Sequence, residues 1–306
     1  MPEPRKPIVV VGSINMDLVA RAPSIPLAGQ SLIGSDFVTT PGGKGANQAV
    51  AAARLGYPVH ILGAVGDDVF SQSLLDNLAA SGVDASNLTR VPGPCGVAVI
   101  LVAAGGENSI VVVPGANAKL TPAVVNRNSA LIRSAGMILC QLELPPETTS
   151  YLLAFCAQAG VPVMLDPAPA APLPDAVFRQ AAWFTPNATE AAFYLGHQAT
   201  PEEDAAELIA RGLHGVVLKR GSQGAFVSRA GGQTASIPSF PVAAIDTVAA
   251  GDCFNGAFAV ALLEGRDPFD AARFASAAAA LSVTRRGAQA SLPSRKEVDE
   301  FLARRA

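Results

Sequence analysis

The chain has 306 residues, half of them hydrophobic and 15% charged, which excludes an intrinsically disordered protein and leaves ample material for a core. Its formal net charge of -3 comes without a cluster of Lys and Arg, so no nucleic-acid partner is expected. No uncharged apolar run reaches the ~18 residues of a membrane span, so no membrane partner is expected.

The opening MPEPRKPIVVVG breaks its apolar run at Gly12, short of a cleavable leader, and a cytoplasmic location is the expectation. Within it, the β-branched residues 8–11 predict the first strand. Residues 17–21 and 32–37 are weaker extended segments. A helix follows over 46–55, stopped by Gly56, then a buried strand over 59–65 and a helix over 69–80. Residues 96–103 and 109–113 read as strands of a hairpin joined by Ala104-Gly105-Gly106-Glu107. Beyond it strands (136–141, 161–166, 183–185, 215–219) alternate with helices (147–158, 189–195, 202–211). A second hairpin is expected over 224–237, and helices over 252–263, 268–283 and 294–304.

This alternation predicts an α/β fold with a mostly parallel central sheet flanked by helices. The early extended pieces and the first hairpin break the pattern and read as a small β-sheet lid, roughly 15–42 and 95–113, on a single domain spanning 1–306. Cys95, Cys140, Cys156 and Cys253 show no metal or disulfide spacing, and the three histidines lie in unrelated contexts. Acid–base work therefore falls to Asp or Glu.

Four segments carry chemistry. In Asp246-Thr247-Val248-Ala249-Ala250-Gly251-Asp252, the small residues permit a tight turn with exposed N–H groups, and a helix opening at Asp252 adds its positive end. That is an anion site suited to a transferring phosphoryl group, with Asp252 beside it to accept a hydroxyl proton. A helix-capping Asp is the structural alternative. Gly42-Gly43-Lys44-Gly45-Ala46-Asn47 precedes a helix and lets a ligand approach the backbone; it is not a P-loop, because Gly follows Lys44. Gly12-Ser13-Ile14-Asn15-Met16-Asp17 lacks dinucleotide spacing, but Asn15 and Asp17 share one face and suit a polyol, or else form an Asx-rich turn. Asn187 and Glu190 fit a capping box, and equally a pair holding Mg²⁺-bound waters.

Together these segments resemble the ribokinase (PfkB) family of sugar kinases, from Gly12 to Ala288, most specifically in the match of 246–252 to D-T-x-x-A-G-D. The resemblance implies a ribokinase-like fold and ATP-dependent phosphorylation of the 5-hydroxyl of D-ribose. Deoxyribose, fructose or a nucleoside are the alternative acceptors, and a silent sugar- or nucleotide-binding regulator is the rival outside the class. It makes Asp252 the catalytic base and Ala249, Ala250 and Gly251 the anion hole. Asn15, Asp17, Gly43, Lys44, Asn47 and Glu143 would bind the sugar together with Asp252.

Asn187 and Glu190 would serve Mg²⁺, through water, and the nucleotide. Lys219, Arg220, Gly221, Ser222 and Gly224 match the ATP loop, with Gly251 and Ser276 also at the nucleotide. Asp246, Val248, Ser282, Arg285, Gly287 and Ser291 match a K⁺ site made mostly of carbonyls. A homodimer through the lid is implied as well. The chain departs from the family where Lys219 replaces the Thr of T-x-G-S and where Ser276 replaces a His or Asn beside adenine. Cys253, where Thr or Ser is usual, reads either as a thiol acidified by the helix end or as a small helix residue without a catalytic role.

Overall fold

Ile8–Val11 (β1) pairs in parallel on both sides, and all four of its residues are buried, which is why it reads as a continuous β-branched run. The computed structural model describes residues 5–305. After β1 the chain leaves the main sheet for β2 (Asn15–Ala22) and β3 (Asp36–Gly42), then returns through α1 (Lys44–Arg54) to β4 (Val59–Leu62). β5 (Ala64–Val65) and β6 (Thr89–Arg90) pair in a two-stranded parallel sheet with α2 (Ser71–Ala80) between them in the chain, and β7 (Gly96–Ala103) and β8 (Asn108–Val113) complete the second sheet. Two short helices, α3 (Pro122–Arg127) and α4 (Ser129–Ser134), lead to β9 (Met137–Gln141).

The alternation then holds: α5 (Pro146–Ala159), β10 (Val163–Asp166), α6 (Asp175–Gln180), β11 (Trp183–Phe184), α7 (Ala188–Leu195), α8 (Pro201–Ala210), β12 (Gly215–Lys219). The hairpin of β13 (Ala225–Arg229) and β14 (Thr234–Ile237) follows. The helices α9 (Ala250–Leu263), α10 (Pro268–Ser282) and α11 (Arg295–Ala303) close the chain.

The main sheet has the order β14-β13-β12-β11-β10-β9-β1-β4, parallel from β4 to β12 and antiparallel in the last two strands. Two cores cover its faces. Leu139, Met164, Trp183 and Val217 pack in the core that includes α1, α9 and α10, whereas Ile138, Val163, Phe184 and Val216 pack in the other. The two-residue period therefore brings Gln141, Asp166 and Lys219 to the first face, at the carboxyl ends of their strands. The second sheet, β3-β2-β7-β8, is the expected lid sheet; β2 and β7 are parallel and the outer pairs antiparallel.

Four expectations are corrected. The second lid strand is Asp36–Gly42 rather than 32–37: it is an exposed edge strand ending in Pro-Gly, so no apolar alternation marks it, and its register comes from pairing with β2. The segment 59–65 splits at Gly63, where a Cβ would lie 2.9 Å from the Gly12 carbonyl oxygen. The helices within 122–134 and at Asp175–Gln180 were not foreseen, being six residues each and too short to display a helical period. Helix α9 begins at Ala250, two residues before the expected start, so Asp252 is its third residue.

Candidate active site

The amino end of α1 packs backbone to backbone on the end of β1: a Cβ at Gly45 would lie 2.5 Å from the Gly12 carbonyl carbon. Gly43, with φ 88°, turns the chain from β3 into α1, and a Cβ there would meet the Asn15 nitrogen at 2.7 Å. These contacts bring Asn15, Asp17, Lys44 and Asn47 to one end of the sheet. Asn15, Asp17, Asn47 and Asp252 are all buried.

Hydrogen bonds fix them. Asn47 Nδ2 donates to Asp252 Oδ2 at 3.0 Å, and Gln48 Nε2 donates to Asp252 Oδ1 at 3.1 Å. Asn47 Oδ1 accepts from Gln289 Nε2 at 3.1 Å, and Asn15 Oδ1 accepts from Asn117 Nδ2 at 2.7 Å. Glu143 accepts from the Ser13 hydroxyl and, at 3.4 Å, from the Lys44 backbone N–H. The Asp17 carboxylate lies on Gly42, where a Cβ would come within 2.2 Å of Oδ2.

Packing carboxylates this densely shifts them. Burial, then Glu143 and Asp252, push the Asp17 carboxyl up to about 7, against the pull of Lys44. Asp252 is raised by burial and by Asp166, opposed by Lys44 and by the Asn47 and Gln48 bonds. Burial works against the charge of Lys44, but Asp252, Asp166, Glu143 and Glu190 outweigh it and raise its pKa.

Asp17 carries a stability consequence. An unfolded Asp titrates near 3.8 and the folded one at about 7, so this group's contribution is full at acid pH and is lost as pH rises through about 7. Asp17→Asn should therefore raise the melting temperature at pH 8 by roughly 2 °C or more, with the gain shrinking toward pH 4. Melting curves across pH check this; an unchanged value at pH 8 counts against it.

The other half of the site surrounds the start of α9. Ala249 sits at φ 58°, the one non-glycine at positive φ among the described residues, a left-handed conformation that the surrounding turn must hold. Ala249, Ala250, Gly251 and Asp252 line a cavity of about 320 Å³ with Lys44, Asp166, Asn187, Glu190, Lys219 and Gly221. A second cavity, about 490 Å³, adjoins it through Lys219, Gly221, Thr247, Ala250 and Gly251. Its walls are Ser222, Gly224 and Ser276 with apolar Phe240, Val242, Phe254 and Ala280. Such a pair suits a molecule with a flat apolar end and an anionic tail.

Part-buried Lys219 pairs with buried Asp166 at 2.9 Å, so where the resemblance implies a Thr hydroxyl this chain sets a cation that lines both cavities. Arg220 lines neither cavity, and its guanidinium bonds Gln223 at 2.8 Å. Asn187 and Glu190 form a full capping box: the Asn187 N–H donates to Glu190 Oε2 at 2.7 Å, and Glu190 N–H to Asn187 Oδ1 at 2.8 Å. Both also line the first cavity, where burial raises the Glu190 carboxyl against the pull of Lys219. The two sequence readings of this pair are therefore compatible.

Asp246 joins two loops. Its Oδ1 accepts from the Val248 N–H at 3.0 Å and its Oδ2 from the Gly287 N–H at 2.9 Å. Ser282 and Ser291 are buried and bond the Ala279 and Ala288 carbonyls, while the Arg285 guanidinium turns to Glu297 at 2.6 Å. Among the described residues no group of three His, Cys, Asp or Glu could hold a metal. Cys253 is 1% exposed, and burial pushes its thiol up to about 12, so it is not the acidified thiol.

Sequence reasoning missed Asp166, Gln48, Gln141, Asn117 and Gln289. Only Asp166 had a readable signal, a carboxylate ending a buried strand at the edge where ligands bind in such sheets.

The sequence profile of the pfkB family carbohydrate kinases matches residues 5–295. The chain is 44% identical over 296 residues to the ribokinase of Bacillus subtilis, covering 97% of this chain and 99% of that relative. It is 36% identical over 303 residues to a deoxyribokinase of Salmonella typhi, covering 97% and 98%. Its structure is similar to that of Arabidopsis thaliana ribokinase complexed with ribose and ATP, with a TM-score of 0.91 and 34% identity, covering 98% of this chain and 99% of the other.

Proposed function

Because this chain belongs to the pfkB family of carbohydrate kinases, we propose that it phosphorylates the 5-hydroxyl of D-ribose with ATP, giving ribose 5-phosphate and ADP. It is a phosphotransferase acting on a sugar hydroxyl. The carrying observation is the buried Asp252 carboxylate, which stands where the Asn47 and Lys44 side of the site meets the Ala249–Gly251 turn. Asn15, Asp17, Gly43, Lys44, Asn47 and Glu143 hold the sugar. Asp252 takes the hydroxyl proton as that oxygen bonds to the γ-phosphorus and the bond to the leaving ADP oxygen breaks. Backbone N–H groups of the Ala249–Gly251 turn stabilise the charge on the transferring group.

The apolar cavity takes the adenosine part of ATP and the polar one its phosphates, beside Lys219 and the Gly221–Gly224 loop. Asn187 and Glu190 fit a water-held Mg²⁺, since they line the phosphate cavity and each Glu190 oxygen keeps a free lone pair. That ion, when bound, supplies positive charge on the phosphates. Ribose-dependent release of ADP tests the reading, and release no faster with ribose than without overturns it.

Asp246 with the carbonyls around Val248, Ser282, Arg285, Gly287 and Ser291 suits a large, weakly hydrated cation better than Mg²⁺. Replacing Na⁺ by K⁺ at constant ionic strength should raise activity, and Asp246→Ala should remove the effect. Equal rates in both salts, with Mg²⁺ saturating, count against the site. Domain and assembly complete the proposal: one kinase domain whose lid also forms a homodimer contact. The support is edge strand β8, exposed at every residue, with apolar Ile110, Val111, Val112 and Val113 divided between its two faces. A single-chain mass in solution counts against the dimer. A cytoplasmic location is part of the proposal; separately, no described helix is long and apolar enough to cross a membrane.

A further inference from the structure

Gln48 follows Asn47 on α1 and is 1% exposed. Its side chain is held at three points. Nε2 donates to Asp252 Oδ1 at 3.1 Å and to Asp166 Oδ2 at 3.0 Å, while Oε1 accepts from Gln141 Nε2 at 2.7 Å. The bond from Gln141 fixes which way the carboxamide faces, with its donor end toward the two carboxylates.

Stability does not explain this pair. Gln141 Oε1 is buried with no protein partner among the described residues, against Gly12, where a Cβ would lie 2.2 Å from it. Leaving an acceptor unpaired is costly, and apolar side chains of similar size would fill the space without that cost. What the pair achieves is local: it sets an amide donor between Asp252 and Asp166, two buried like charges, and ties one oxygen of Asp252.

We propose that Gln48, oriented by Gln141, is a positioning residue that aims the Asp252 carboxylate at the sugar hydroxyl; this rests on the reading of Asp252 as the proton acceptor. With Asn47 on one oxygen and Gln48 on the other, the carboxylate cannot rotate. The charged groups facing it are Lys44 from α1, Asp166 from the end of β10 and Asp17 from β2, with Lys219 behind Asp166. Lys44 favours the ionised form and Asp166 opposes it.

Gln48→Met keeps the length of the side chain and removes its hydrogen bonds. The expected result is a kcat lower by roughly 10- to 100-fold, the range for a bond to a charged group, with the sugar KM within about threefold of wild type. The acid limb of the kcat profile should move to higher pH, because a bond favouring the charged carboxylate is gone. Gln141→Met leaves Gln48 present but unoriented. It should give the same changes in smaller measure, and it decides the matter if Gln48→Met does not fold. Asp252→Asn, assayed alongside, separates the two failures. If that variant keeps most activity, the proton-acceptor reading falls. If it is inactive while a folded Gln48→Met or Gln141→Met keeps the wild-type kcat and acid limb, the positioning role falls.

Discussion

Asp252→Asn should lower turnover roughly 10²–10⁴-fold, the range for a positioned acid–base group, while the protein stays folded and still binds sugar. The substitution is nearly isosteric and relieves the desolvation of a buried charge, but it sets an amide NH2 against one of the two donors, Asn47 Nδ2 or Gln48 Nε2, so a modest loss of stability is expected. What it removes is the proposed proton acceptor. Lys44 and the Ala249–Gly251 turn remain, and they can still hold both substrates, which accounts for a residual rate. Wild-type activity should fall as pH drops through the Asp252 pKa, because only the ionised carboxylate accepts a proton, and the residual activity of the variant should lack that limb. Measuring kcat, KM and melting temperature together checks this. Retention of more than half the wild-type kcat would exclude Asp252 as the base.

The second large effect concerns the acceptor. Ribose should be preferred to 2-deoxyribose, and 2-deoxyribose to adenosine, in kcat/KM. A nucleoside needs an apolar platform for its base, and the only aromatic of the lid segments, Phe37, is 62% exposed on an edge strand. The proposed sugar end instead presents Asn15, Asp17, Lys44 and Asn47. Asn15 and Asn47 are each already held by a neighbouring amide, Asn117 and Gln289, so they meet a hydroxyl at little further cost in side-chain order. A site built this way rejects an analogue lacking the hydroxyl by up to about 10⁴–10⁵-fold, since its buried polar groups are left unpaired. Asn15→Ala should narrow the gap between ribose and deoxyribose. If adenosine or fructose outran ribose in the same ADP-release assay, the sugar assignment would fail while the kinase assignment stood.

Much of this site is legible in the sequence because its parts are local. The Asp246–Asp252 segment announces a turn and a helix start within seven residues, and Gly42–Asn47 announces another. Strands β1, β9, β10 and β12 declare themselves through continuous apolar runs, since both their faces are buried. Edge strand β3 buries little and is defined by its partner, so it left no pattern. The same holds within the site. Gln48, Gln141 and Asn117 act through neighbours 93 or more residues away in the chain, and an amide in a helix or strand carries no local sign of what it will meet. The Lys219–Asp166 pair shows the limit of reasoning by resemblance: the family pattern put Lys219 in the ATP loop and marked it as a departure from Thr, and the fold supplied its partner.

The four cysteines bear on how the protein tolerates oxidants and labels. All are free and buried, and burial pushes the thiols of Cys140, Cys156 and Cys253 up to about 12, so at neutral pH almost none is thiolate. Attack by peroxide or maleimide requires both the thiolate and access to it. Burial raises the Cys95 thiol as well, so although Cys253 adjoins Asp252 in the chain, the folded protein is expected to react with neither reagent, which a thiol count with maleimide checks. A cysteine introduced on the lid surface would be the one reactive thiol, so a fluorophore could be placed there without first removing any native residue.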